Sequence, residues 1–170
     1  MPHQLSKEQF DAWFVGLVEG EGCLFASLWK NPAGQFQPQV LLSIRLRDDD
    51  TIIVKAIKER FGGRIYKEKG RKPTHNPSIR WVGDSRIVLM RLVRVFDAYP
   101  MIGKKRLQYP AWRELVLLKQ SGITQPLVPR FRQLAAALKA GKKYEAPDVC
   151  IRDLGVDVEM SLFHKGELRR

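Results

Sequence analysis

Cysteine is scarce in this chain. Cys23 and Cys150 stand far apart and form no CxxC pair, which argues against structural zinc and predicts two unpaired, buried thiols. Long apolar runs are missing too. No window of about 18 uninterrupted apolar residues occurs, so no spanning helix is expected. The N-terminus lacks the basic-then-apolar pattern of a secretion signal, and an intracellular protein is expected. Acids are in deficit, with 18 against 30 Lys and Arg, for a net charge of +12. That surplus favours a polyanionic partner, nucleic acid or an anionic surface, and poorly suits a neutral small-molecule substrate. There is no internal repeat. A length of 170 residues is enough for one domain with a real core.

What is present centres on Phe14-Val15-Gly16-Leu17-Val18-Glu19-Gly20-Glu21-Gly22. Upstream, Ser6 and Gln9 fit a capping box and Leu5 can staple against Phe10, so a helix is expected to begin there. Phe10, Trp13, Phe14, Leu17 and Val18 form one apolar stripe. Ala12, Gly16 and Gly20 form a second at i, i+4 spacing, small enough for another backbone to approach closely. The helix ends in Glu19 and Glu21. Acids at a helix C-terminus oppose the macrodipole and require compensation, for which a bound cation is a natural candidate. On the residues alone, a core helix with a Gly cap and solvated glutamates accounts for the stretch equally well. A two-carboxylate hydrolase built on Glu19 and Glu21 is disfavoured because residues i and i+2 diverge on a helix.

Two strands should follow. In the first, Leu24, Ala26 and Leu28 face the core, with Phe25, Ser27 and Trp29 opposite; Asn31-Pro32-Ala33-Gly34 turns the chain. In the second, spanning 37–47, Val40, Leu42, Ile44 and Leu46 alternate with Gln39, Leu41, Ser43, Arg45 and Arg47. The polar row carries groups suited to base edges or phosphates, although a solvated sheet face would look the same. Asp48-Asp49-Asp50 opens a helix buried through Ile52, Ile53, Ala56, Ile57 and Phe61, stopped by Gly62-Gly63. Strands at 64–69 and 78–82 flank a basic loop that includes Arg71, Lys72 and His75; His75 is expected to contact phosphate or solvent. Asp84-Ser85 can cap a third helix, buried through Ile87, Val88, Met90, Leu92, Val93 and Phe96 and ended by Pro100. Helical patterns through Trp112, Leu115, Val116 and Leu118, which Pro110 should start or kink, and through Phe131, Leu134 and Leu138 complete residues 1–141. Residues 142–170 read as an extension, docked or partly disordered. The expected class is α+β, in the order αββαββα with an antiparallel four-stranded sheet and C-terminal helices.

The nonapeptide resembles the LAGLIDADG motif of homing endonucleases, with Gly16, Gly20, Glu21 and Gly22 at the matching places. Phe14-Val15 replaces the usual Leu-Ala, and Glu21 stands where Asp is commoner. The element order, the Arg47-to-Asp50 helix start, Gly62-Gly63 and Tyr99-Pro100 through Gly103-Lys104-Lys105 match the family's layout as well. The resemblance covers residues 5 to 118. It implies a Mg²⁺- or other divalent-cation-dependent, site-specific double-strand DNA endonuclease. With one motif, it implies a homodimer packed through Ala12, Gly16 and Gly20, its paired sheets forming a saddle over DNA. Glu21 and the Gly20 carbonyl become metal ligands. Lys105, with Lys104 as runner-up, becomes the basic catalytic group, and Asp48 or Arg47 the further pocket residue. Ser27, Trp29, Gln37, Gln39, Ser43, Arg45, Tyr66 and Arg80 become groove contacts; Arg71 and Lys72 become phosphate contacts. The alternative on this scaffold is a non-cleaving intron RNA maturase or DNA-binding regulator.

Overall fold

A computed structural model describes residues 5–69 and 76–140. Arg71, Lys72, His75, Cys150 and the 142–170 extension lie outside the described residues. Helix α1 (Lys7–Glu21) leads directly into strands β1 (Gly22–Lys30) and β2 (Phe36–Arg47). A short 3-10 turn precedes α2 (Thr51–Phe61), followed by β3 (Arg64–Glu68), β4 (Ser78–Gly83), α3 (Arg86–Ala98), α4 (Lys105–Ser121) and α5 (Val128–Ala140). The four strands form one antiparallel sheet in the order β1-β2-β4-β3. The α+β class and element order match the expectation. Among the described residues no helix is long and apolar enough to cross a membrane.

Local chemistry explains the boundaries. The Ser6 hydroxyl accepts from the Gln9 N–H while Gln9 returns its side-chain oxygen to the Ser6 N–H, completing the capping box that starts α1. Ser85 caps α3 by accepting from the Val88 N–H. Two glycines are sterically required at passages between elements. A Cβ on Gly22 would lie 2.6 Å from the Val18 carbonyl, where α1 turns abruptly into β1. Gly63 has φ +91°, and a Cβ there would lie 2.7 Å from both Trp81 Nε1 and the Val82 carbonyl. Pro110 does not start α4: the helix begins five residues earlier and runs through it.

Period-two alternation separates the sheet's faces. Leu24, Ala26, Val40, Leu42, Ile44, Ile79 and Trp81 are buried beneath the helices. Phe14 of α1 sits at the middle of this core, its ring 4.6 Å from Phe61, stacked at 6.1 Å on Phe96 and edge-on to Trp81 at 6.2 Å. Trp81 Nε1 donates to the Gly62 carbonyl, so the buried indole also fixes the α2–β3 link. Helix α4 is drawn across the same layer. Trp112 Nε1 donates to the Leu41 carbonyl and Lys119 Nζ to the carbonyls of Val40 and Asp84; burial pushes the Lys119 pKa down. Against α3, Arg113 and the Tyr109 hydroxyl both donate to Asp97. The Arg113 bond is the main cause holding the Asp97 carboxyl below its ordinary range.

Several expected core positions move by a residue or two. Ile52 is 79 % exposed and Ile87 68 %, each in the first turn of its helix, while Val54, Leu89 and Val95 are buried instead. Trp13 is exposed, and Val15 takes its place in the core. Cys23 is exposed rather than buried, because it lies on the odd-numbered face of β1, away from Leu24 and Ala26.

One buried contact on α1 has no counterpart in the apolar pattern. Asp11 points inward and receives a two-pronged bond from Arg60 of α2, at 3.0 and 2.7 Å. The pair is more enclosed than a surface ion pair and less than a fully buried one. Asp11→Ala is therefore expected to cost about 2 kcal/mol, between those limits. Chemical denaturation of this variant against Asp11→Asn measures it; a loss below about 0.5 kcal/mol would place the pair among ordinary surface contacts.

Candidate nucleic-acid interface and acidic helix end

The sheet face turned away from the helices carries every described residue expected to touch DNA. The register places them in rows. Trp29 lies opposite Gln37 and Ser27 opposite Gln39, while Ser43 sits between Cys23 and Val82. Arg45, Arg80 and Tyr66 form one continuous row across β2, β4 and β3. Trp29 is 53 % exposed and Tyr66 37 %, large aromatic surfaces that one chain leaves facing water. Ser27 Oγ donates to Gln39 Oε1 at 3.2 Å. Glu68, at the end of β3, lies 2.7 Å from Arg45 Nη2 and 3.0 Å from Arg80 Nε.

At one end of this face α1 terminates. The last carbonyls of a helix lack donors from within it, and two of them find donors just beyond it. The Gly22 N–H donates to Val18, and Lys105 Nζ, from the start of α4, donates to the Glu19 carbonyl at 2.8 Å. Gly20 supplies the next carbonyl in that row. The α1 last turn has no basic residue of its own, so Lys105 brings a positive charge to the negative pole of the helix. Some of the compensation expected of a cation thus comes from the chain itself.

The two acids have different fates. Glu19 Oε1 accepts from the Gly103 N–H at 2.6 Å, pinning the α3–α4 loop to α1. Glu21 is exposed. Asp48 occupies the turn between β2 and α2, four residues beyond Ile44, which pairs with Gly22; its carbonyl accepts from Thr51 Oγ1. The structure thus gathers Gly20, Glu21 and Lys105 at one helix end and sets Asp48 at the end of β2. Among the described residues no three acids, histidines or cysteines cluster to hold a metal ion. Ala12, Gly16 and Gly20 are exposed along α1, beside an apolar groove lined by Ala12, Val15, Gly16, Tyr99, Pro100 and Ile102.

A family model described as LAGLIDADG endonuclease matches residues 14–116. The chain belongs to that family. The match opens at the α1 nonapeptide and closes within α4, so it spans the sheet and the helix end together. Among relatives of this LAGLIDADG chain is the probable intron-encoded endonuclease aI3 of Dictyostelium citrinum, 27 % identical over 105 residues. The alignment covers 61 % of this chain but 41 % of that protein, so the chain spans less than half the relative's length. The fold is shared with the archaeal intron-encoded homing endonuclease I-Vdi141I in complex with DNA, at TM-score 0.68 and 22 % identity, covering 88 % of this chain and 94 % of the other. It is shared also with I-SmaMI bound to an uncleaved DNA target in the presence of calcium ions, at TM-score 0.65 and 21 % identity. There the match covers 82 % of this chain and 47 % of I-SmaMI. The same fold thus fills nearly all of one neighbour and about half of the other.

Sequence reasoning missed Asp11–Arg60 and the bridging role of Glu68. The sole signal for Glu68 was an acid standing alone within a basic stretch.

Proposed function

We propose that this LAGLIDADG chain is a site-specific double-strand DNA endonuclease that acts inside the cell as a homodimer with a divalent cation such as Mg²⁺. The observation that carries the reading is the exposed Glu21 at the end of α1 with Lys105 held on the Glu19 carbonyl two residues earlier, bordering a sheet face of Ser, Gln, Arg and aromatic side chains. Ser27, Trp29, Gln37, Gln39, Ser43, Arg45, Tyr66 and Arg80 contact the groove in this reading, and Arg71 and Lys72 hold phosphates.

The donor chemistry fits a hard cation. The Glu21 carboxylate and the Gly20 carbonyl offer oxygen atoms, the ligands Mg²⁺ prefers alongside water and phosphate. The described residues of one chain offer too few, which supports a site completed by a second copy and the DNA backbone. When bound, the cation neutralises phosphate charge and lowers the pKa of attached water. The chain's own part is positional. Glu19 anchors the loop that delivers Lys105; the Lys105 ammonium stabilises negative charge near the scissile phosphate; Asp48 lines the pocket from the β2 end. Ala12, Gly16 and Gly20 let two α1 helices meet closely enough for both Glu21 side chains to share the axis.

Two measurements test this. Affinity for a generic duplex should fall roughly a thousandfold between 50 and 200 mM salt, the loss expected for about six neutralised phosphates; anisotropy titrations that are flat in salt would remove DNA as the partner. Incubation in Mg²⁺ with a plasmid carrying the uninterrupted host locus should produce double-strand cuts. Binding without any nicking over long times would instead favour the maturase or regulator reading.

A further inference from the structure

Glu68 is an acid on the face assigned to a polyanion, where a carboxylate is repelled by phosphates and by the guanine O6 and N7 acceptors. Its surroundings supply a reason for its presence. It lies one row beyond Arg45, Arg80 and Tyr66, opposite Ser78, and reaches back diagonally, a separation that long side chains bridge on a sheet. One oxygen lies 2.7 Å from Arg45 Nη2 and the other 3.0 Å from Arg80 Nε, with the Glu68 side chain largely enclosed. The Arg80 approach is an ion pair rather than an aligned hydrogen bond, since its buried Nε finds no properly directed acceptor. The Tyr66 ring adds a second contact to the same guanidinium: its centroid is 5.7 Å from Arg80 and 5.8 Å from Arg64. Two arginines on adjacent strands are thus ion-paired with one carboxylate, and one of them also lies over an aromatic ring.

We propose that Glu68 is a specificity-determining positioning residue: it holds Arg45 and Arg80 as preset donors for guanine edges in the major groove and weakens attraction to arbitrary DNA. The inference rests on the DNA-binding reading above. An ordered arginine loses less rotamer freedom on docking, so its bond to the right base counts for more. A guanidinium matches guanine O6 and N7 through two parallel bonds, the commonest specific contact in the major groove. The same carboxylate offsets charge that would otherwise serve phosphate binding, which carries no sequence information.

The test is selection from a randomised duplex library by the wild-type chain, Glu68→Gln, Arg45→Gln and Arg80→Gln, with sequencing of the bound pools. Gln keeps the shape of Glu and removes its charge. Guanine enrichment at the positions that Arg45→Gln and Arg80→Gln lose is expected to fall roughly tenfold in Glu68→Gln. Binding to unselected duplex should meanwhile tighten and become more salt-dependent. A purely structural role would lower the melting temperature and weaken selected and unselected duplexes by the same factor; that outcome overturns the proposal. An enriched wild-type pool matched unchanged by Glu68→Gln overturns it as well, leaving the DNA reading intact. A wild-type pool without any enrichment overturns sequence-specific recognition and this inference with it.

Discussion

Glu21→Gln is expected to lower DNA cleavage in Mg²⁺ by roughly a thousandfold or more while duplex binding persists. Metal-assisted charge stabilisation supplies several kcal/mol of a phosphodiester barrier, and each 1.36 kcal/mol is about tenfold in rate. Gln has the length of Glu, but its neutral oxygen is a poor replacement for a carboxylate as a ligand to a hard cation. The fold should be indifferent to the change. Glu21 is exposed, and removing an acid from the negative end of α1 relieves an unfavourable dipole contact. Plasmid nicking and anisotropy on the same preparation separate the two effects, and wild-type cutting by Glu21→Gln would eliminate the proposed chemistry. Glu19→Gln is the informative companion. It touches the Gly103 N–H, so it should disturb loop position and Lys105 placement rather than metal binding, and raised Mg²⁺ should not rescue it.

The second large effect concerns association. Among the described residues, a Cβ at Gly16 or Gly20 would meet no atom within 4 Å outside the backbone of α1 itself. Nothing among the described residues of one chain therefore demands glycine there, although glycine within a helix costs about 0.5–1 kcal/mol relative to alanine. Gly16→Leu should leave the single chain folded and at least as stable. It should also block close packing of two α1 helices. Overfilling a packed contact costs about 1–3 kcal/mol, and a two-fold axis incurs it twice. The dimer dissociation constant should rise about thirtyfold or more. Sedimentation and circular dichroism together decide the matter: a folded monomer supports the seam, and an unchanged dimer places the interface elsewhere.

Much of the architecture was legible because short-range rules dictated it. Ser6 and Gln9 announced the start of α1, and Gly62-Gly63 the end of α2. The strict alternation of 37–47 assigned Gln39, Ser43 and Arg45 to one face. The misplacements have a common cause. Helices α2 and α3 carry more apolar residues than one stripe can hold, so periodicity allows neighbouring solutions. Burial in the shared core took in Val54, Leu89 and Val95 and left Ile52 and Ile87 in water. Cys23 was assigned by residue type, whereas strand parity decided its exposure.

The sequence by itself determined the order of elements, the polar sheet face, the basic charge and the acidic nonapeptide, since each depends on neighbours within a turn or a strand. Tertiary structure alone decided that Glu19 is tied to Gly103 while Glu21 stays exposed, that Lys105 reaches back to the Glu19 carbonyl, and that Arg60 meets Asp11. Those partners are 84, 86 and 49 residues apart. No local pattern encodes them, because burial of the shared core is what brings them within bonding distance.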